Sequence, residues 1–162
     1  MVDKSQPPFT RAMIGALRRQ ERVPSLGANI VMGDTERYVL TMETRDLNYA
    51  SMVLYETPRE DMHYVMGIDM CEFVTPHDNN ASMVVLRVPG YAVVAHWYEE
   101  SLALTAFAGH LAAIMRYYDV CRIFSRGCDS VYDLEEYLQN CEHIHEDVFS
   151  PYVPDYEREY AE

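Results

Sequence analysis

Two β-rich runs joined by a Pro-Gly pair constrain the fold of this chain more than any other feature. The first run is Ser82–Val88, the second is Tyr91–Trp97, and Pro89-Gly90 connects them. Runs rich in β-branched and aromatic residues that are bounded by turn residues indicate strands. A type II Pro-Gly turn fits the twist of a two-residue hairpin poorly, so we expect a slightly longer or bulged connection. The sequence therefore predicts a β-hairpin here.

Segments before the hairpin predict further antiparallel strands. Three short segments have strand character and look like a meander: Ala28–Met32, Arg37–Met42 and Ser51–Tyr55. From Met62 to Met70 the residues alternate, with five apolar side chains on one face and His63, Val65, Gly67 and Asp69 on the other. This period of two indicates a strand with one face in the core.

Helical patterns lie on both sides of these strands. A helix from about Thr10 to Glu21 is predicted near the start, and a long apolar helix is predicted from Glu99 to Tyr118. Asp119–Phe124 is consistent with a short strand or a turn, and a shorter helix over Ser130–Cys141 would face inward with Val131, Leu134, Leu138 and Cys141. The predicted fold class is α+β, in which an antiparallel sheet with a meander and the Pro-Gly hairpin is covered by an N-terminal helix, a long buried helix and a short C-terminal helix.

The length of 162 residues is typical of one domain. We expect a single α+β domain over residues 1–148 with an extended arm at 1–9, and an acidic, tyrosine-rich tail at 149–162. No apolar run approaches the ~20 residues that a bilayer span needs, and no export signal is evident. A cytoplasmic location is expected, or the host cytoplasm if the protein is viral.

Charge is distributed unequally along the chain. The net charge is −13, which disfavours direct binding of nucleic acid or of a membrane. Residues 1–26 are nevertheless rich in arginine, whereas residues 129–162 contain eleven carboxylates and one arginine. This polarity favours a protein partner or copies of the same chain, which would form a homo- or hetero-oligomer.

Two sets of residues are the candidates for partner binding. Arg11, Arg18 and Arg22 would lie close together on one face of the first helix, where the alternative is a solvated surface or an internal ion pair with the acidic end. The second set repeats every four residues in the tail, where the alternative is a disordered solubilising segment: Tyr152, Tyr156 and Tyr160.

Cysteine and histidine residues suggest two weaker chemical sites. The weak metal candidates are Cys121, Cys128, Cys141, His143 and His145, but their spacing lacks the close pairs of a zinc motif, and buried structural cysteines are the alternative. Cys71 could act as a thiol nucleophile with His63, His77 or His96, with Asp69 or Asp78 orienting the imidazole, although a packing cysteine is the alternative.

Phosphate loops, dinucleotide fingerprints, nucleophile elbows and H-E-x-x-H motifs are missing from the sequence. The leading interpretation is a non-enzymatic, acidic protein-protein interaction domain: a subunit of a larger assembly, or an accessory or inhibitory factor of the kind that viruses and mobile elements encode. No catalytic residue, cofactor or metal is assigned. Two alternatives are an inhibitor that mimics nucleic acid, and a small thiol or zinc hydrolase.

Overall fold

The computed structural model of the protein describes residues 26–43, 50–70, 80–100, 103–126 and 129–152. These residues form eight strands: β1 (Leu26–Met32), β2 (Tyr38–Glu43), β3 (Met52–Leu54), β4 (His63–Met70), β5 (Asn80–Val88), β6 (Ala92–Glu100), β7 (Val120–Arg126) and β8 (Phe149–Tyr152). Two α-helices accompany them, α1 (Leu104–Tyr118) and α2 (Asp129–Glu142), and a 3-10 turn occupies Glu146–Val148. The predicted helix over Thr10–Glu21 lies outside the described residues.

All eight described strands belong to one mixed sheet, in the order β2-β1-β3-β6-β5-β4-β7-β8. The pairs β4–β7 and β7–β8 are parallel, and the other pairs are antiparallel. The prediction of an antiparallel sheet is therefore wrong. The physical reason is the connection after β6, where α1 carries the chain back along the sheet, and such a helical crossover delivers a parallel strand.

The predicted meander is also wrong in its connectivity. Strand β1 lies between β2 and β3, and Ala28 pairs with Met42 on one side and with Met52 on the other. A meander would require β3 to pair with β2. Instead β3 pairs with β6, with Val53 opposite His96, and so joins the N-terminal strands to the central hairpin.

The central hairpin lies close to its predicted limits. Pro89, Gly90 and Tyr91 form the turn between β5 and β6, and the last two have φ angles of 97° and 50°. The register between the two strands shifts between Val85 and Leu86. A three-residue turn with a nearby bulge gives the extra twist that two strands joined by Pro-Gly need.

Helix α1 begins at Leu104, whereas the sequence predicted a helix from Glu99. Glu99 and Glu100 continue β6, where Glu99 pairs with Ala81. The ladder to β5 supplies hydrogen-bond partners for this segment, which outweighs the favourable placement of acidic residues at a helix start.

The core lies between α1 and one face of the sheet. Tyr64, Met66, Ile68 and Met70 of β4 point to this side, and the ring of Trp97 stacks on that of Phe107 with centroids 5.6 Å apart.

Helix α2 packs through Val131, Leu134 and Leu138, which are buried, whereas Cys141 is exposed and was wrongly predicted to face inward. The opposite face of β4, β5 and β6 carries the groove described next. Within the described ranges, no helix has the length and apolar character needed to cross a bilayer.

Candidate functional site

An open groove crosses β4, β5 and β6 on the sheet face opposite α1. Its volume is about 470 Å³, and it is lined by Gly67–Asp69, Ser82–Val84 and His96–Tyr98. Because strand side chains alternate between faces, Ile68, Met83 and Trp97 contribute mainly backbone and direct their side chains into the core. The remaining six lining residues face the groove, five through their side chains and Gly67 through its backbone.

These six residues form two rows across the three strands. In the first row Asp69 pairs with Ser82, which pairs with Tyr98. Directly opposite residues on antiparallel strands have Cβ atoms roughly 4.5–5.5 Å apart, so the Ser82 hydroxyl neighbours the Asp69 carboxylate. Tyr98 is 54% exposed at the end of this row. The first row therefore combines a carboxylate, a hydroxyl and an aromatic ring.

The second row forms the floor of the groove. Gly67 pairs with Val84, which pairs with His96. A Cβ added to Gly67 would lie 3.3 Å from Cγ1 of Val84, so the absence of a side chain lets Val84 pack closely over the glycine. No side chain therefore projects from the sheet at Gly67, two residues before Asp69.

The His96 ring is exposed, and Tyr55 positions it. The Tyr55 hydroxyl and His96 Nδ1 form a hydrogen bond of 3.1 Å, and the two ring centroids are 5.6 Å apart. Tyr55 is itself fixed because its backbone N–H donates to the carbonyl of Val94 at 2.8 Å. The imidazole thus stands on the groove surface in a defined orientation.

Asp69 occupies a particular place in the sheet topology. Strand β4 pairs antiparallel with β5 on one side and parallel with β7 on the other, so the strand direction pattern changes at β4. Ligands of open sheets with helical crossovers commonly bind at the carboxyl ends of the strands. Asp69 is the last but one residue of β4 and therefore lies at such an end.

The predicted metal candidates do not come together in the described residues. Cys121 is exposed and its thiol donates to the Tyr64 carbonyl at 3.2 Å, while Cys141 and His143 are exposed elsewhere. His145 caps the 3-10 turn, with its Nδ1 accepting from the backbone of Asp147 at 3.2 Å. Across the described ranges, no three His, Cys, Asp or Glu residues form a group suited to a metal. Cys128 lies outside these ranges.

The other predicted site residues also lie mostly outside the described residues. This holds for the arginine set at Arg11, Arg18 and Arg22, for Tyr156 and Tyr160, and for Cys71, His77 and Asp78. The backbone of Tyr152 is described, and it forms the end of β8, where it pairs with Arg126 of β7. Both partner-binding sets, and the division of the chain at residue 148, stay predictions.

Sequence reasoning missed Asp69, Ser82 and Tyr98 as members of one site. The alternation along β4 placed Asp69 on the non-core face, and the same alternation along β6 would have placed Tyr98 there. What the sequence lacked was the register that aligns them across three strands. The usable signal was a glycine and a carboxylate, Gly67 and Asp69, on the solvent face at the end of a strand.

The comparisons with known proteins show the fold. No protein-family model matches the sequence, and no curated protein does so. Among solved structures, the large terminase nuclease from thermophilic phage G20c is similar in its form with bound magnesium, with a TM-score of 0.52, 16% identity, and coverage of 73% of this chain and 57% of that chain. Its form with bound zinc gives a TM-score of 0.51 at 16% identity, with coverage of 73% and 63%. The chain thus spans less than two thirds of these nuclease chains.

This similarity corrects the functional interpretation drawn from the sequence. A non-enzymatic protein-interaction domain without nucleic-acid contact is contradicted, because the fold of the chain is similar to that of the large terminase nuclease from phage G20c. The acidic composition misled that interpretation, since net charge describes the whole surface and carries no information about fold.

Proposed function

We propose that this chain is a nucleic-acid-processing domain that hydrolyses phosphodiester bonds with a divalent cation held at Asp69. The observation that carries the proposal is the position of Asp69, a carboxylate in an open groove at the carboxyl end of β4, where the strand direction pattern changes. The nuclease fold of the similar structures supports the reaction class. Of the functions considered from the sequence, a hydrolase is the one that these observations favour.

The described residues at the groove fit magnesium better than zinc. Mg²⁺ is commonly held by one or two carboxylates, and water and substrate phosphates fill its other positions. Asp69 supplies one such carboxylate. Catalytic zinc usually needs about three protein ligands, often histidine or cysteine, and the described ranges bring no such group together.

A bound cation would also reduce the electrostatic repulsion between this acidic protein and a polyanionic substrate. The chain carries a net charge of −13, and a polyanionic substrate is repelled by such a surface. When bound, Mg²⁺ would neutralise charge on the scissile phosphate and polarise its P–O bonds. The carboxylate of Asp69 would be a hard oxygen ligand of the cation. The Ser82 hydroxyl beside it can donate a hydrogen bond to a phosphate oxygen.

The test is Mg²⁺-dependent cleavage of labelled DNA and RNA oligonucleotides by the purified chain. Asp69→Asn should reduce the cleavage rate by about 100-fold or more, because it removes the carboxylate charge from the reacting centre. Asp133→Asn is the matched control, since Asp133 is an exposed aspartate on α2, and its cleavage rate should equal that of the wild type. Both variants should keep the wild-type circular dichroism spectrum.

A second measurement is independent of turnover. Mg²⁺ should raise the melting temperature of the wild type and of Asp133→Asn, because a ligand of the native state stabilises it, and this rise should vanish in Asp69→Asn. The proposal fails if the wild type cleaves no substrate in Mg²⁺ or Mn²⁺. It fails equally if Asp69→Asn cleaves as fast as the control.

A further inference from the structure

The groove beside Asp69 has a lining that is unusual for a surface that binds duplex nucleic acid. Duplex binding depends on lysine and arginine side chains that contact many phosphates. Among the described residues that line the groove, none is lysine or arginine, and the charged side chain is that of Asp69. A cation at Asp69 could engage one phosphate, which is far fewer than a duplex-binding surface contacts.

The same lining is rich in rings. Tyr98 is 54% exposed and His96 is exposed, and both point to the groove from β6. On the other side of β4, Phe124 of β7 is in register with Gly67 and is 40% exposed. Its neighbours Ile123 and Ser125 are buried, so the Phe124 ring lies on the same sheet face as the groove, beside but not within its lining, and the exposed Arg122 lies two residues earlier on that face. Rings therefore stand on both sides of the glycine floor.

The spacing of the two β6 rings indicates which form of nucleic acid they fit. Residues two apart on a strand are separated by roughly 6.5–7 Å. Bases in a duplex are stacked at about 3.4 Å per nucleotide of each strand, so neighbouring bases of a duplex cannot each take one of these rings. An extended single strand, whose bases are unstacked, can place successive bases on His96 and Tyr98.

We propose that the groove binds single-stranded nucleic acid, with bases stacked on His96 and Tyr98 while one phosphate is directed to the cation at Asp69. This inference rests on the proposed function and names its substrate class. Stacking is largely indifferent to base sequence, and the cation at Asp69 would supply positive charge that the side chains lining this groove lack.

The test measures binding by fluorescence anisotropy, with labelled single-stranded DNA and RNA of about 12 nucleotides, within the ~4–16 nucleotides that single-strand-binding domains cover. Ca²⁺ replaces Mg²⁺ to separate binding from cleavage, and a parallel series contains EDTA. Tyr98→Ala should weaken binding roughly 5- to 160-fold, and His96→Ala should act in the same direction. Tyr98→Phe should bind more tightly than Tyr98→Ala, because the ring is kept.

Tyr132→Ala is the matched control, because Tyr132 is 69% exposed on α2, away from the groove, and its loss should leave affinity unchanged. For single strands the slope of log affinity against log salt should be shallower than about −1.4, corresponding to about two phosphate contacts or fewer. A duplex of the same sequence should bind more weakly than the single strand.

The inference is overturned by tighter binding of the duplex, by a steep salt slope, or by equal effects of Tyr98→Ala and Tyr132→Ala. Undetectable binding of single strands under all conditions has the same consequence. If Asp69→Asn abolishes cleavage but the duplex is the preferred ligand, the proposed function stands and this inference fails. If single strands bind through Tyr98 but Asp69→Asn cleaves normally, the inference about binding stands and the catalytic assignment fails.

Discussion

The aromatic ring of Tyr38 in β2 lies against the backbone of Gly109 in α1. A Cβ added to Gly109 would contact this ring, at 2.8 Å from Cε2. The same ring packs edge-on against His110, with centroids 4.5 Å apart. The missing side chain of Gly109 therefore leaves room for Tyr38 of β2 to pack against α1.

Gly109→Ala should destabilise the protein although alanine is the better helix former. Alanine is favoured in a helix interior by about 1 kcal/mol, whereas overpacking costs typically 1–3 kcal/mol, so we expect a net loss of about 1 kcal/mol in the free energy of unfolding. Urea denaturation would measure it. In a Tyr38→Ala background the same substitution should become neutral or stabilising, and a loss that persists there would contradict the packing explanation.

His110 should make stability depend on pH. Burial lowers the pKa of His110 from its ordinary value of 6.5, so the folded state keeps the imidazole neutral while the unfolded state binds a proton. The unfolded state therefore binds more protons as the pH falls through about 6.5, and stability should fall with it. Burial raises the pKa of Glu99, whose Oε2 is 3.7 Å from His110 Nδ1, and proton uptake by the folded state there opposes the loss at lower pH.

The measurement compares the wild type with His110→Gln, which does not titrate. Between about one pH unit above and one below ~6.5, the unfolding free energy of the wild type should decrease more than that of the variant. The difference between the two curves isolates His110 from the other histidines. Parallel curves would mean that His110 titrates equally in both states.

A hydrogen bond from the hydroxyl of Tyr118 links α1 to the segment after β3. It donates to the Glu56 carbonyl at 2.6 Å, and Tyr118 is fully buried. Burial, together with the nearby Tyr117 and Tyr64, raises the pKa of Tyr118 far above its ordinary value, so the phenol stays a donor at all ordinary pH values. Tyr118→Phe should cost about 1–2 kcal/mol of unfolding free energy.

Tyr132→Phe is the control for this substitution, because it removes the same hydroxyl from a side chain that is 69% exposed. Its effect on chemical denaturation should be close to zero. Equal effects of the two substitutions would show that the Tyr118 hydrogen bond contributes nothing beyond the solvated hydroxyl.

Trp97 should report the folding of the whole sheet. It is the sole tryptophan of the chain, is 1% exposed, and lies in the core between β6 and α1. Its emission should be blue-shifted relative to tryptophan in water and should change in one transition that coincides with the loss of far-ultraviolet ellipticity. A red-shifted spectrum in buffer, or two separate transitions, would contradict this placement.

Local patterns predicted several elements of the fold. The alternation over Met62–Met70 matches β4 (His63–Met70), and the apolar stripe over Ser130–Cys141 matches α2 (Asp129–Glu142). These signals arise within each segment, since they reflect which side of the segment faces the core. Strand pairing is different, because it depends on contacts between segments far apart in sequence. That is why the sequence did not reveal the pairing of β1 with β3 or the parallel alignment of β4 with β7.

The candidate site was predicted less well, for the same reason. Asp69 was considered only as a residue that orients a histidine, and Tyr98 was not considered at all. Taken singly, Asp69 and Tyr98 look like ordinary strand residues. Only the strand register shows that they lie in one row with Ser82. The net charge led to the wrong prediction that the chain does not bind nucleic acid. A charge summed over 162 residues says little about a groove that nine residues line.

The parallel pairing of β4 with β7 has a consequence for how the protein is made. Tyr64 pairs with Val120, which lies 56 positions later in the chain. Closing so long a loop is entropically costly, and contacts of this kind slow folding. During synthesis, the edge of β4 that pairs with β7 therefore stays unpaired until the chain up to Arg126 has left the ribosome. Only then can β4, the strand that carries Asp69, become an interior strand of the sheet.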